Sequence, residues 1–219
     1  MSKIDVIAID GPSGAGKSSV AKEIGKRLGY EYISTGAMYR LIGLLADENG
    51  IFHNEEKIKD FCEKAKKHID FKRGRIFFKN SDYTDKIYEN RVSMLASDIS
   101  KKTFVREILG TLQREIGLKR KSVLEGRDIG TVIFPDAKYK FFLDASPKVR
   151  AERRYQELAE KGENIDFKTI YNEIVERDRN DSTREMSPLR KADDAVYIDT
   201  SNLSLQEVVN EMISHISEN

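Results

Sequence analysis

Residues 11–18 read Gly-Pro-Ser-Gly-Ala-Gly-Lys-Ser, and this stretch restricts the possible folds more than any other in the chain. Gly11, Pro12, Ser13, Gly14, Ala15, Gly16, Lys17 and Ser18 fit the phosphate-loop spacing: a glycine, four residues of any type, then Gly-Lys-Ser or Gly-Lys-Thr. The glycines let the backbone turn tightly and approach an anion closely. Backbone N–H groups of such a loop, and of the helix it opens, then point at phosphate oxygens. Lys17 supplies a mobile positive charge for the outer phosphates, and the Ser18 hydroxyl is placed to ligand Mg²⁺. The flanks meet the structural demand of the pattern. Ile4-Asp5-Val6-Ile7-Ala8-Ile9 is a nearly continuous β-branched run, as expected of a buried parallel strand. Val20, Ala21, Ile24 and Leu28 recur at helical spacing behind the loop, and Gly29 stands where that helix should stop.

The rest of the chain alternates in the same way. Residues 30–33 read as a second strand, and the helix after Ser34-Thr35-Gly36 carries Met38, Leu41, Ile42 and Leu45. Asn54 is an N-cap for a helix with Ile58, Phe61, Cys62 and Ala65 on one face. The pattern then shortens. Strands at 70–72 and 75–79 flank an Arg73-Gly74 turn, and 83–88 reads as a third short strand after the turn signal Asn80-Ser81-Asp82. Residues of about 54–90 are therefore expected to form a small inserted, β-containing subdomain. Helices follow through Val92, Leu95, Ala96 and Ile99, and from about Thr103 to Ile116. Strands are expected at 122–125, 139–143 and 195–199. Ser146-Pro147 opens a helix that ends near Gly162, another starts near Asp166, and Ser204 with Glu207 forms a capping box for the closing helix. The alternation predicts an α/β fold in one domain over 1–219, with a parallel sheet of about five strands flanked by helices. Such sheets bind ligands beyond the carboxyl ends of their strands, which is where the phosphate loop, Ser34-Thr35, residues 125–128 and Asp144 all fall.

Lysine and arginine total 38 against 37 aspartate and glutamate, so no net basic field exists to hold a nucleic-acid backbone, and any anion site must be local. One cysteine, Cys62, excludes an intramolecular disulfide and fits a reducing compartment. Neither a signal peptide nor a membrane span is legible, so a cytoplasmic protein without membrane partners is expected, and a monomer. His53, His68 and His215 are scattered, with no metal-ligand spacing.

A second signal is Glu176-Arg177-Asp178-Arg179-Asn180-Asp181-Ser182-Thr183-Arg184. Charge runs of this kind are ordinarily solvated helix ends. Here the arginines join Arg40 and Arg127, which follow core strands, and arginine suits bidentate phosphate recognition. No general base stands out. A hydroxyl acceptor needs a positioned base, whereas a phosphate acceptor is already anionic and needs charge neutralisation and alignment. Phosphoryl transfer between two phosphorylated molecules follows, with a polar, arginine-rich lid over about 166–188 to exclude water.

Residues 34–40 (Ser-Thr-Gly-Ala-Met-Tyr-Arg), residues 125–131 (Glu-Gly-Arg-Asp-Ile-Gly-Thr), and Arg177-Asp178 with residues 181–184 resemble the signatures of bacterial cytidylate kinases. Residues 132–137 and 142–146 continue the resemblance, as do Pro188-Leu189 and residues 198–200. The departures are Ser34 where an acid is common, Glu125 where Asp is common, and Ser18-Ser19 where Gly-Thr is often found. The resemblance implies a nucleoside monophosphate kinase fold and ATP-dependent phosphorylation of CMP and dCMP. Gly11 through Ser19 would hold ATP, with Mg²⁺ at Ser18. Lys17, Arg40, Arg127 and Arg184 would be catalytic. Thr35, Arg40, Ser97, Arg106, Arg127, Asp128, Arg177, Asp181 and Arg184 would bind the monophosphate, with Ser97, Arg106 and Asp128 reading cytosine. Cytosine offers an amino donor beside two acceptors, which a carboxylate and a guanidinium or hydroxyl complement. Three other readings stay open: a kinase for UMP or AMP, a GTP-dependent switch, and a non-catalytic nucleotide-binding module. Against the switch, no Asn-Lys-any-Asp segment is present, and Lys79-Asn80-Ser81-Asp82 has the first two residues reversed.

Overall fold

Four consecutive residues of the first strand, Val6, Ile7, Ala8 and Ile9, have no exposed surface in the computed structural model, which describes residues 4–160, 162, 163 and 165–217. They belong to β1 (Ile4–Asp10), the middle strand of the main sheet. The chain continues through α1 (Lys17–Leu28), β2 (Glu31–Ser34), α2 (Thr35–Glu48) and α3 (Glu55–Ala65). Three short strands follow, β3 (Ile69–Lys72), β4 (Arg75–Phe78) and β5 (Ser81–Asp82), then α4 (Asn90–Ile99) and α5 (Thr103–Leu118). The remainder is β6 (Ser122–Gly126), β7 (Ala137–Asp144), α6 (Pro147–Glu160), α7 (Phe167–Thr183), β8 (Val196–Asp199) and α8 (Leu205–Ser217).

Among the described residues, five strands pair in the order β2-β6-β1-β7-β8, and each pairing is parallel. The register sets the strand ends level: Asp10 lies opposite Gly126 and Phe142, Ser34 opposite Glu125, and Asp144 opposite Asp199. Alternation along β1 builds two cores. Val6 and Ala8 join the core made with α2 and α5, through Met38, Leu41, Leu109 and Leu112. Ile7 and Ile9 join the core made with α1 and α8, through Val20, Ile24, Val208 and Met212. Each large aliphatic side chain buried in this way contributes about 1.5–3 kcal/mol. A third cluster, Ala151, Leu158, Ile170 and Ile174, packs α6 against α7.

The caps agree with the sequence. Gly29 takes φ 70° after α1, the Asn54 side chain accepts from Lys57 N, Asp166 accepts from Thr169 N, and Ser204 exchanges hydrogen bonds with Glu207. The small sheet runs β3-β4-β5, and Ile69, Phe71 and Ile76 on its inner face share the first core. Its third strand differs from expectation: β5 is Ser81–Asp82, and 83–88 holds a 3₁₀ turn at Lys86–Tyr88. The reason is local. Lys79 and Asn80 take positive φ and make the turn themselves, so the strand resumes at Ser81. Asp82 Oδ1 then accepts from Thr84 N, and Thr84 Oγ1 accepts from Ile76 N, which ends the ladder. A second unforeseen element is a single π-helical turn, Ile129–Ile133, whose end packs the fully buried Phe134 against Gly117.

Phe134 anchors that turn beneath the binding edge, with the Arg114 guanidinium 5.1 Å from its ring centre. Phe134→Ala should destabilise the protein by about 3–5 kcal/mol. Urea unfolding should read this as a lower midpoint with an unchanged slope. A loss below about 1 kcal/mol would mean the cavity closes and Phe134 is no anchor.

Candidate functional site

The loop between β1 and α1 is held from behind. Gly11 takes φ 145°, and a Cβ there would lie 1.9 Å from the Leu143 carbonyl oxygen, so only glycine fits. The carbonyls of Pro12, Ser13 and Ala15 accept from Lys17 Nζ (2.6 Å), Arg150 Nη1 (3.0 Å) and Thr200 Oγ1 (3.2 Å). With its carbonyls turned into the protein, the loop leaves the first-turn N–H groups of α1 for an anion. Gly16, at φ 85°, is the N-cap of that helix. Ser18 is half-buried in its first turn and Ser19 is exposed. The Tyr32 hydroxyl lies among Ser18, Ser34 and Glu125.

Cations converge in front of this loop. Burial first, and then the Arg127 charge, pull the Lys17 amine down to about 7, while Glu125 and Asp10 oppose the shift. Burial, Arg127, Arg40 and Arg154 together pull Arg177 down to about 10. Arg40 lies over the Tyr88 ring and donates to Ile87 O (3.1 Å) and Ser93 Oγ (2.9 Å). Asp181 supplies the main countercharge: it accepts from Arg127 Nε at 2.7 Å and from Arg184 Nη1 at 3.4 Å. Burial pushes its carboxyl up, but Arg127, Arg177 and Arg184 overcome that and hold it below the usual range.

The network continues to a second pole. Arg106 Nη2 donates to Asp128 Oδ2 at 2.6 Å, both side chains are buried, and the guanidinium lies over the Tyr39 ring. Arg106 Nε and Arg184 Nη2 are buried without a hydrogen-bond partner. A cleft of about 320 Å³ opens beside them, lined by Ser100, Thr103, Arg106, Asn180, Thr183 and Arg184. Ser97 sits one turn away on α4, where its carbonyl accepts from Ser100 Oγ, and Ser100 O in turn accepts from Arg106 (3.4 Å). The Thr35 hydroxyl is occupied by the Glu125 carbonyl (2.8 Å), and Ser34 Oγ donates to Glu125 Oε1 (2.6 Å).

Four contributors escaped the sequence reading. Asp10 ends β1, and its two carboxylate oxygens accept from Ile129 N (2.8 Å) and Gly130 N (2.7 Å), which fixes the segment that carries Arg127 and Asp128. Burial raises its carboxyl to about 7 against those two bonds. Arg150, Arg153 and Arg154 come from α6. Arg153 Nη2 donates to Thr200 O (2.6 Å) behind the loop. The signal was available: these arginines recur at helical spacing just after a strand that ends on the binding edge.

Five cations, Lys17, Arg40, Arg127, Arg154 and Arg177, thus act on one another with Glu125 and Asp181 between them. A polyanion relieves this crowding. Inorganic tripolyphosphate should therefore stabilise the protein, by about 2.7 kcal/mol at a hundredfold excess over its dissociation constant. Thermal unfolding reads the shift. Lys17→Met should shrink it, and an equal shift in that variant would place the anion elsewhere.

Known proteins fit this geometry. Among solved structures, shikimate kinases from Bacteroides thetaiotaomicron and Acinetobacter baumannii superpose with a TM-score of 0.50 at 12% identity, covering 97% and 99% of this chain and 96% and 94% of theirs. At that identity they share the fold alone. Proteins named cytidylate kinase are much nearer in sequence. One from Thermodesulfovibrio yellowstonii is 43% identical over 97% of this chain and 98% of its own length. Another, from Clostridioides difficile, is 44% identical with the same coverage. The cytidylate kinase family profile matches residues 7–218, which include the loop, Arg127, Asp128 and the arginines of α7. A phosphate loop joined through charge to a buried arginine–aspartate pair is accordingly set in a chain that belongs to the cytidylate kinase family.

Proposed function

We infer that the protein transfers the terminal phosphoryl group of ATP to the phosphate of CMP and dCMP. One observation carries the reading: Asp181 ties Arg127, whose charge acts on Lys17 of the phosphate loop, to Arg184, whose charge acts on the buried Arg106 paired with Asp128. Family membership supports the reaction and its co-substrate.

The roles follow from position. Residues 11–19 hold the donor phosphates, with Lys17 at the outer ones. Arg40, Arg127, Arg177 and Arg184 grip the acceptor phosphate and neutralise the charge that develops during transfer. Asp181 keeps Arg127 and Arg184 aligned until phosphate arrives. Thr35 positions the end of β6 through the Glu125 carbonyl. Mg²⁺ fits the oxygen donors on hand: the Ser18 hydroxyl and the Glu125 carboxylate both border Tyr32. The described residues hold no cluster of three metal-ligating side chains, which suits an ion carried chiefly by substrate phosphates and water. When bound, it supplies Lewis-acid neutralisation of those phosphates. The segment from α7 to Pro188 serves as the lid, residues of about 54–90 as the monophosphate-binding subdomain, and Ser97 with Arg106 and Asp128 as the base reader. A cytoplasmic monomer that meets free nucleotides is the setting this chemistry calls for, and the single cysteine is buried with its thiol pushed up to about 12.

A coupled assay with ATP and a panel of CMP, dCMP, UMP and AMP tests the function, and turnover confined to UMP or AMP would overturn it. Uracil would set a carbonyl against Asp128 and an N–H against the Arg106 donors. Each mismatch costs about 1–3 kcal/mol. CMP should therefore exceed UMP by about two powers of ten in kcat/KM. Asp128→Asn should narrow that ratio, because an amide can offer an N–H to the uracil carbonyl. A full wild-type ratio in the variant would place base reading elsewhere.

Lys17 gives a pH signature with a definite sign. Its amine titrates at about 7 in the free protein, and donor phosphates favour the charged form. Above about pH 7, ATP binding should take up as much as about one proton, so affinity falls as pH rises. Below that pH, Lys17 is already charged and contributes no slope. Asp10 titrates in the same range and feels the Lys17 charge, so the Lys17→Met comparison is made on an Asp10→Asn background. Calorimetry in buffers of different ionisation enthalpy counts the proton, and uptake unchanged in the variant would overturn the assignment.

A further inference from the structure

Arg150 stays clear of the crowded cations, yet its guanidinium makes four hydrogen bonds beside the site. Its side chain is 3% exposed. Nε donates to Ala145 O at the end of β7 (2.8 Å), and Nη1 donates to Ser13 O of the phosphate loop (3.0 Å). Nη1 and Nη2 together clasp Asp178 of α7 at 3.0 and 2.6 Å. The loop packs directly on this residue: a Cβ on Gly14 would lie 3.0 Å from Arg150 Cβ.

Asp178 follows Arg177 in sequence and precedes Asp181 by less than one helical turn. Arg177 and Asp181, at i and i+4, share the helix face that meets Arg127, whereas Asp178 turns to α6. One helix thus carries both the residues assigned to the acceptor and a carboxylate joined, through Arg150, to the donor loop. The bond to Ser13 keeps that carbonyl turned away from the donor phosphates. An arginine fork bound at two points transmits displacement in a way that a flexible lysine does not.

We propose that Arg150 and Asp178 are positioning residues that couple the two substrate sites: occupation of the phosphate loop sets α7 for the acceptor, and the acceptor in turn tightens the loop. The proposal rests on the assignment of Arg177 and Asp181 to the acceptor. Coupling of this kind is reciprocal, so it is measurable from either side.

The test is a double-mutant cycle on Asp178→Asn, Arg150→Lys and the pair. The dissociation constant of a non-hydrolysable ATP analogue is measured by calorimetry with and without saturating monophosphate. In the wild type, the monophosphate should tighten the analogue. In Asp178→Asn that factor should shrink by about fivefold or more. The analogue bound alone should change little in this variant, because the Arg150–Ser13 bond remains. The double variant should lose no more than either single one. Asp178 is the less buried partner, at 24% exposure, and Asn keeps its shape, so Asp178→Asn decides the matter if Arg150→Lys fails to fold. Absence of tightening in the wild type, a full factor in Asp178→Asn, or losses that add in the double variant would each overturn the bridge. The acceptor is whichever monophosphate the assay panel selects. A failure of the CMP assignment therefore appears in the panel, and a failure of the bridge appears in the cycle.

Discussion

Like charge crowded at one edge of a sheet is the constraint on which the rest of this molecule depends. Two unit charges 4 Å apart interact by about 4 kcal/mol at an effective dielectric of 20. Lys17, Arg127 and Arg177 act on one another at that edge: burial first, and then the Arg127 charge, pull Lys17 and Arg177 down, whereas the burial of Arg127 is outweighed by Asp181, which holds it up. Flexible side chains would swing apart. They do not because each is seated by contacts of a different kind: Lys17 by its own loop carbonyl, Arg40 by Ile87, Ser93 and an aromatic face, Arg127 by Asp181. The apolar cores supply the rigidity, and the charged edge uses it.

The acids divide the labour. Asp181 offsets charge directly. Asp10 works on the backbone, where its two hydrogen bonds to Ile129 and Gly130 hold the turn after β6 against the end of β1. Through it the loop that meets donor phosphates and the segment that carries Arg127 and Asp128 share one anchor. Glu125 takes the Ser34 hydroxyl, so a single carboxylate with a hydroxyl stands where two carboxylates would repel each other.

What the sequence disclosed, and what it withheld, divides by the range of the contacts. β1, the loop, α1 and the caps at Gly29, Asn54, Asp166 and Ser204 are legible because their causes lie within a few residues. The third small strand was misplaced by a few residues because Lys79 and Asn80, neither of them glycine, adopt positive φ. The π-helical turn after Asp128 depends on a carboxylate 119 residues away in sequence, and no local pattern encodes it. The role of Asp10 is hidden for the same reason, and so are the partners of Arg150, although its helical spacing with Arg153 and Arg154 is visible. Their partners are backbone atoms and a distant acid, and only the folded chain brings these together.

The alternation along β1 has a wider consequence. The sheet is a partition. Donor-loop helix α1 leans on one core with α8, whereas α2 and α5, which carry Arg40 and Arg106, lean on the other. The two sets of side chains meet chiefly at the strand ends. Substitutions in the core beneath α2 and α5 therefore reposition Arg40 and Arg106 while the core beneath the donor-loop helix keeps its packing.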